Sequence, residues 1–146
     1  MNDIERAKEL FRTGEYTCVL VKDDSVYTSA TAGISPMLGF IGSGIDLNGF
    51  SAADKIVGRA AAMLFVLAGV KEVFTAVLSK QAEAVFIKHG IRFSCDTLTE
   101  AILNRSGTDL CPMEKAVGDI EEPPAAIEAI KKTLELLKSR NTGDAK

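Results

Sequence analysis

The segment at residues 51–70 constrains this chain more than any other. It begins Ser51-Ala52-Ala53-Asp54-Lys55-Ile56-Val57-Gly58-Arg59-Ala60 and stays apolar to Val70. From residue 60 to residue 68 the side chains vary only in size: Ala, Ala, Ala, Met, Leu, Phe, Val, Leu, Ala. A helix that is apolar on every side must be covered on every side. The pattern therefore predicts a central helix buried inside a layered fold. Its expected start is Ser51 as N-cap, with Asp54 three residues on in the manner of a capping box. Gly69 is the expected stop. The run is too short to cross a bilayer, and small residues at 58, 60, 61 and 62 allow close packing against a sheet.

The flanking segments supply that sheet. Residues 3–13 put Ile4, Ala7, Leu10 and Phe11 on one helical face, and Gly14 ends them. Residues 16–22 and 25–29 read as a hairpin turning at Asp23-Asp24. A short helix opens at Ser35, with Pro36 in its first turn, and Gly42-Ser43-Gly44 closes it. After the central segment come a strand at 72–78, a helix at 80–89 ended by Gly90, and a strand at 91–95. Asp96 is placed to cap a helix over 96–104, with Leu98, Ala101 and Ile102 inward. Residues 105–111 read as an irregular loop, and Pro112 opens a short helix to about residue 120. Pro123-Pro124 breaks the chain before an amphipathic helix at 125–140. The stripe of Ile127, Ile130, Leu134 and Leu137 on that helix either closes the monomer or pairs with a second copy. A hairpin followed by strand-helix-strand crossovers implies a mixed sheet with helices on both faces. The expected fold is a three-layer α/β/α sandwich, one domain over residues 1–140, with residues 141–146 as a disordered tail.

The totals exclude several classes. The net charge is −3 with both signs interspersed, which argues against a nucleic-acid partner. The N-terminal residues form no apolar leader, so a cytoplasmic protein without membrane contact is expected. Cys18, Cys95 and Cys111 are odd in number and form no CxxC, which fits reduced thiols. His89 is the one histidine and cannot build a multi-histidine metal site. The spacing of Gly33, Gly42, Gly44 and Gly49 matches neither a dinucleotide fingerprint nor a P-loop. No cofactor and no metal are called for.

The order of elements and three segments resemble a bacterial family, a domain of unknown function, whose fold is similar to that of cytidine deaminases. The segments are Ala53-Asp54-Lys55-Ile56-Val57-Gly58-Arg59-Ala60-Ala61-Ala62, Gly69-Val70-Lys71-Glu72-Val73, and Asn104-Arg105-Ser106-Gly107-Thr108-Asp109-Leu110-Cys111-Pro112-Met113-Glu114. The resemblance covers about residues 3–130. It implies a cytidine deaminase-like sandwich and leaves the activity open. Zinc deaminases place His or Cys ligands at the starts of two helices, with a Glu that shuttles protons. The segments aligned with those starts are Ala53-Asp54-Lys55 and Leu78-Ser79-Lys80-Gln81, which hold neither thiolate nor imidazole. Cys111-Pro112 is followed by no second cysteine. The resemblance thus implies an inherited pocket at the start of the central helix without its zinc.

Two groups of residues could carry chemistry. Lys55 and Arg59 are i, i+4 on the expected helix, beside the free amides of its first turn. They form a candidate anion site for phosphate or carboxylate; the plainer reading is a solvated pair of charges. Asp54 either caps the helix or meets a ligand hydroxyl or acts as a base. In the second group, Arg105 is a third cation, and Ser106, Gly107 and Thr108 are small donors on a flexible backbone. Cys111 before Pro112 could be a thiol with lowered pKa, a nucleophile with Asp54 or Glu114 as base. The plainer reading is a small buried residue. Three functions are expected in turn: a binding protein for a phosphate-bearing nucleotide or related metabolite, a cysteine-dependent transferase or hydrolase, and a non-catalytic regulatory module that forms a homo-oligomer.

Overall fold

A computed structural model describes residues 1–144, with side chains through Ser139. The elements are α1 (Asp3–Thr13), β1 (Cys18–Lys22), β2 (Ser25–Ser29), α2 (Ser35–Gly42), β3 (Ser51–Val57), α3 (Arg59–Ala68), β4 (Glu72–Ser79), α4 (Lys80–His89), β5 (Arg92–Thr99), α5 (Pro112–Val117) and α6 (Pro123–Asp144). The strands form one sheet in the order β2-β1-β3-β4-β5. β1 pairs antiparallel with β2 and β3, whereas β3–β4 and β4–β5 are parallel. Each parallel step is bridged by a helix, as such crossovers require.

Alternation along the strands divides the core in two. Val19, Val21, Ala53 and Phe74 meet Ala7 of α1 on one face. Leu20, Ala52, Val73 and Leu78 meet α3 and α4 on the other, through Leu64, Phe65 and Phe86. The result is the expected mixed-sheet α/β/α sandwich. The α6 stripe closes the monomer: Ile127 and Ile130 are buried, and Leu134 and Leu137 pack on the same core.

The central segment corrects the sequence reading. Residues 51–57 are not the start of a helix but β3, in the middle of the sheet, and the helix begins only at Arg59. A strand buried on both faces reads as a continuous apolar run, which periodicity cannot tell from a buried helix. The deciding residues are Ile56 and Val57, whose β-branching favours a strand, and Gly58, which breaks strand from helix. Ala52 and Ala53 are small enough for helices to pack on both sides. The expected capping box does not form. Ser51 Oγ is buried with no hydrogen-bond partner, and Asp54 stands in mid-strand, in register with Cys18 of β1 and Thr75 of β4.

The helix expected over 96–104 is also absent. β5 runs on to Thr99, held to β4 through Ser79↔Thr99; the β-branched Thr97 and Thr99 outweigh the capping signal of Asp96. An isolated bridge between Leu103 and Leu110 then closes the following loop. The stops at Gly69 and Gly90 are as expected, with φ of 79° and 72° at the ends of α3 and α4, a conformation that favours glycine. Of the tail expected from residue 141, α6 takes in the backbone to Asp144, and residues 145–146 lie outside the described residues. Among the described residues, no helix is long and apolar enough to cross a membrane.

Candidate functional site

The site forms where β3 hands over to α3, at the carboxyl end of the parallel strands. Gly58 is the N-cap of α3 and has no side chain with which to cap it. The amides of Arg59 and Ala60 donate instead to Glu114 of α5, at 2.7 Å to Oε1 and 2.8 Å to Oε2. One carboxylate thereby satisfies two free amides and meets the positive end of the helix dipole. The approach leaves no room for a Cβ unless Glu114 and Ile102 shift. A Cβ on Gly58 would stand 2.3 Å from Glu114 Oε1 and 2.8 Å from Ile102 Cγ1.

Arg59 turns the other way. Its Nε donates to the carbonyl of Val117 at 3.0 Å, and its Nη2 donates to that of Ile120 and lies 3.6 Å from Glu121 Oε1. It fastens the end of α5 to α3, as Glu114 fastens its start.

Beside this bridge is a cavity of about 250 Å³. Its walls come from the end of β3, the start of α3, the turn before α2, and the chain around α5. Ile34, Ile56, Ala60, Ala61, Ile102 and Met113 make most of the lining apolar, and Thr17, Asp54, Lys55, Cys111 and Glu114 are its polar members. Asp54 is only 6% exposed, and its Oδ1 accepts from the Lys55 amide at 2.7 Å. Burial pushes its carboxyl up to about 8 from 3.8, against the lowering effect of the Lys55 and Ile56 amides and the Cys18 thiol. Cys18 itself is raised well above its ordinary value, by burial first and then by the neighbouring Asp54. At neutral pH Asp54 is therefore mainly a neutral acid, able both to donate and to accept a hydrogen bond.

The structure brings Asp54, Cys111 and Glu114 to one cavity, although 60 positions separate the first from the last in the chain. It does not form the expected cation pair. Lys55 lies on a strand and Arg59 on a helix, so the i, i+4 relation does not apply. Lys55 borders the cavity and is exposed. Arg105, Ser106, Gly107 and Thr108 are not among the lining residues. Ser106 Oγ and the Thr108 amide both donate to Asn104 Oδ1 at 3.1 Å, and the two hydroxyls are 2.8 Å apart. These donors serve their own turn. Sequence reasoning missed Thr17, Ile34, Ile102 and Met113, and took Gly58 for a packing residue; the only signal was a glycine between two apolar runs.

The helices after β3 and β4 open with Gly58-Arg59-Ala60 and Ser79-Lys80-Gln81, without His or Cys. Among the described residues, no group of three or more His, Cys, Asp or Glu side chains is gathered to hold a metal ion.

The family model for a domain of unknown function, DUF1893 (TM1506), matches residues 6–134. Among solved structures, the chain is similar to a DUF1893 family protein (TM1506) from Thermotoga maritima. The two share 26% identity with a TM-score of 0.79, over 92% of this chain and 89% of that one. Fainter likenesses are to a dCMP deaminase from the cyanophage S-TIM5, with 13% identity and a TM-score of 0.42 over 64% of this chain and 93% of that one. Another is to a diaminohydroxyphosphoribosylaminopyrimidine deaminase/5-amino-6-(5-phosphoribosylamino)uracil reductase from Thermotoga maritima, with 17% identity and a TM-score of 0.41 over 79% of this chain and 40% of that one. A search of curated proteins finds no match.

Proposed function

The chain belongs to the DUF1893 family, and from the cavity it forms we propose that it binds a small heterocyclic metabolite, of nucleobase or nucleoside size, beside Asp54. A largely apolar pocket with a few convergent polar groups is the usual build of a small-molecule site. The observation that carries the reading is Asp54: a carboxyl buried at the cavity wall and held near 8. A neutral acid pairs with a ring that offers an N–H beside an unprotonated nitrogen or carbonyl. Phosphate has no place at the start of α3, because Glu114 takes the amides and Arg59 is turned to α5. Any phosphate on the ligand would lie outside, toward solvent.

The test is a melting-temperature and calorimetry screen of bases, nucleosides and nucleotides. A base or nucleoside should raise the melting temperature of the wild type and fail to do so for Ala61→Leu, which fills the cavity. Binding should weaken as pH rises through 8 and Asp54 loses its proton. If no compound in the panel shifts the wild type, or if Ala61→Leu binds equally well, the reading fails.

Cys111 favours a second reading, since it lines the same cavity as Asp54: a cysteine-dependent transferase or hydrolase. There Cys111 should react with a thiol reagent faster than the buried Cys18 and the half-buried Cys95, and bound ligand should protect it. Equal, slow labelling of all three rejects this reading.

A further inference from the structure

β5 closes one side of the sheet and has a single strand beside it. β4 pairs with it from Glu72↔Arg92 to Ser79↔Thr99, so among the described residues its outer row of N–H and C=O groups meets no other strand. Native sheets protect such edges by keeping them short, by charged side chains (lysine above all), by proline, or by a bulge or a covering helix or loop. β5 has eight residues, Arg-Phe-Ser-Cys-Asp-Thr-Leu-Thr, with neither lysine nor proline. The opposite edge, β2, is five residues long and carries no charge.

The charges on β5 are self-complementary. Arg92 and Asp96 are four apart, hence on one face, and their side chains are 75% and 56% exposed. Two copies of β5 laid antiparallel about a two-fold axis at Ser94 would set Arg92 of each opposite Asp96 of the other. Each charge already has an opposite neighbour on its own chain: Arg92 Nη2 is 3.7 Å from Glu72, and Asp96 Oδ1 is 3.4 Å from Arg12 Nη2. Pairing would join these into a run of alternating sign, Glu72, Arg92, Asp96, Arg12, on both sides of the axis. We propose that β5 pairs with β5 of a second copy of this chain, in the register centred on Ser94, so that one sheet runs through a two-fold dimer.

Sedimentation of the full chain tests this. The wild type should dimerise, and Asp96→Arg should weaken the dimer about tenfold or more, because two like-charge contacts replace two attractive ones. The exchange Arg92→Asp with Asp96→Arg should restore it in part, since the contacts across the axis are again attractive while Glu72 and Arg12 then meet like charges on their own chain. Independently, Ser94→Cys in a Cys95→Ser background should give a covalent dimer under mild oxidation, since the two thiols face each other across the axis only in this register. A wild type that is monomeric at every concentration overturns the proposal. So does a dimer indifferent to Asp96→Arg that fails to cross-link through position 94.

Discussion

Two parallel strands of this sheet each hand the chain to a helix at the same end, and they do so by different means. β4 ends at Ser79, whose hydroxyl accepts from the Ala82 amide at 3.1 Å. That cap is local and fixes only α4. β3 is followed by bare Gly58, and the amides of α3 reach a carboxylate more than fifty residues on. That remote cap fixes α3 and also draws α5 against it, which sets Cys111 and Met113 at the cavity wall. The cavity lies beside the remotely capped helix, where the turn itself brings no side chain to fill the space.

Breaking the remote cap should have the largest effect. Gly58→Ala puts a methyl group 2.3 Å from Glu114 Oε1 and against Ile102, so the carboxylate must leave and two amides lose their partner. The expected loss of stability is about 3 kcal/mol or more, from overpacking and two charge-assisted hydrogen bonds. Urea unfolding measures it. In a cycle with Glu114→Ala, the double variant should lose clearly less than the sum of the singles, since both remove the same contact. Additive losses would mean that Gly58 and Glu114 act separately, and the contrast with Ser79 would then collapse.

The same contrast explains what could be read from the sequence. Ser79 with Lys80-Gln81, and the terminal glycines Gly69 and Gly90, act within a few positions of themselves, and the expected α4 and helix ends are the observed ones. The layered fold was legible for the same reason, since it follows from the order of local elements. β3 was not, because an interior strand and an interior helix present the same apolar run, and only the partners β1 and β4 decide between them. The site was legible as residue types but not as an arrangement. Cys111 was paired with Asp54 or Glu114 by residue type, and only the fold sets the three at one cavity. Lys55 and Arg59 misled because their i, i+4 spacing has meaning only on a helix that does not exist at residue 55.

The register pair Asp54↔Thr75 carries the comparison to the strands themselves. β4 meets the core with a hydroxyl bonded to its own strand, through Thr75 Oγ1 to the Val77 carbonyl at 3.0 Å, whereas β3 brings a titratable acid. The folded value of Asp54 lies near 8 against 3.8 for the free group. Below 3.8 both states are protonated and there is no effect. Between 3.8 and 8 unfolding releases a proton, so stability falls as pH rises. Above 8 both states are ionised and the penalty is constant. Asp54→Asn keeps the acceptor and removes the titration. Its unfolding free energy should be flatter over this range, so that its gain over the wild type is smallest near pH 4 and grows as pH rises toward 8. Parallel curves for the two proteins would show that Asp54 titrates as an ordinary carboxylate, and β3 would then be no more charged in its core than β4.

The smallest effect belongs to the local cap. Ser79→Ala removes one hydrogen bond to the Ala82 amide and should cost about 1 kcal/mol, and Ser79→Gly only a few tenths. Neither should alter ligand binding in the cavity, because Ser79 is not among its lining residues. Glu114→Gln makes the matched change at the other helix. It keeps a carbonyl oxygen for one amide, loses the charge, and turns an NH₂ toward the second, so it should cost more than Ser79→Ala and also lower ligand affinity. The pair of variants thus separates a cap that serves one helix from a cap that holds a wall of the cavity. If Ser79→Ala and Glu114→Gln cost the same and both leave binding unchanged, Glu114 is an ordinary cap supplied from a distance. If only Glu114→Gln weakens the ligand, the long reach from α5 is what keeps the cavity in shape.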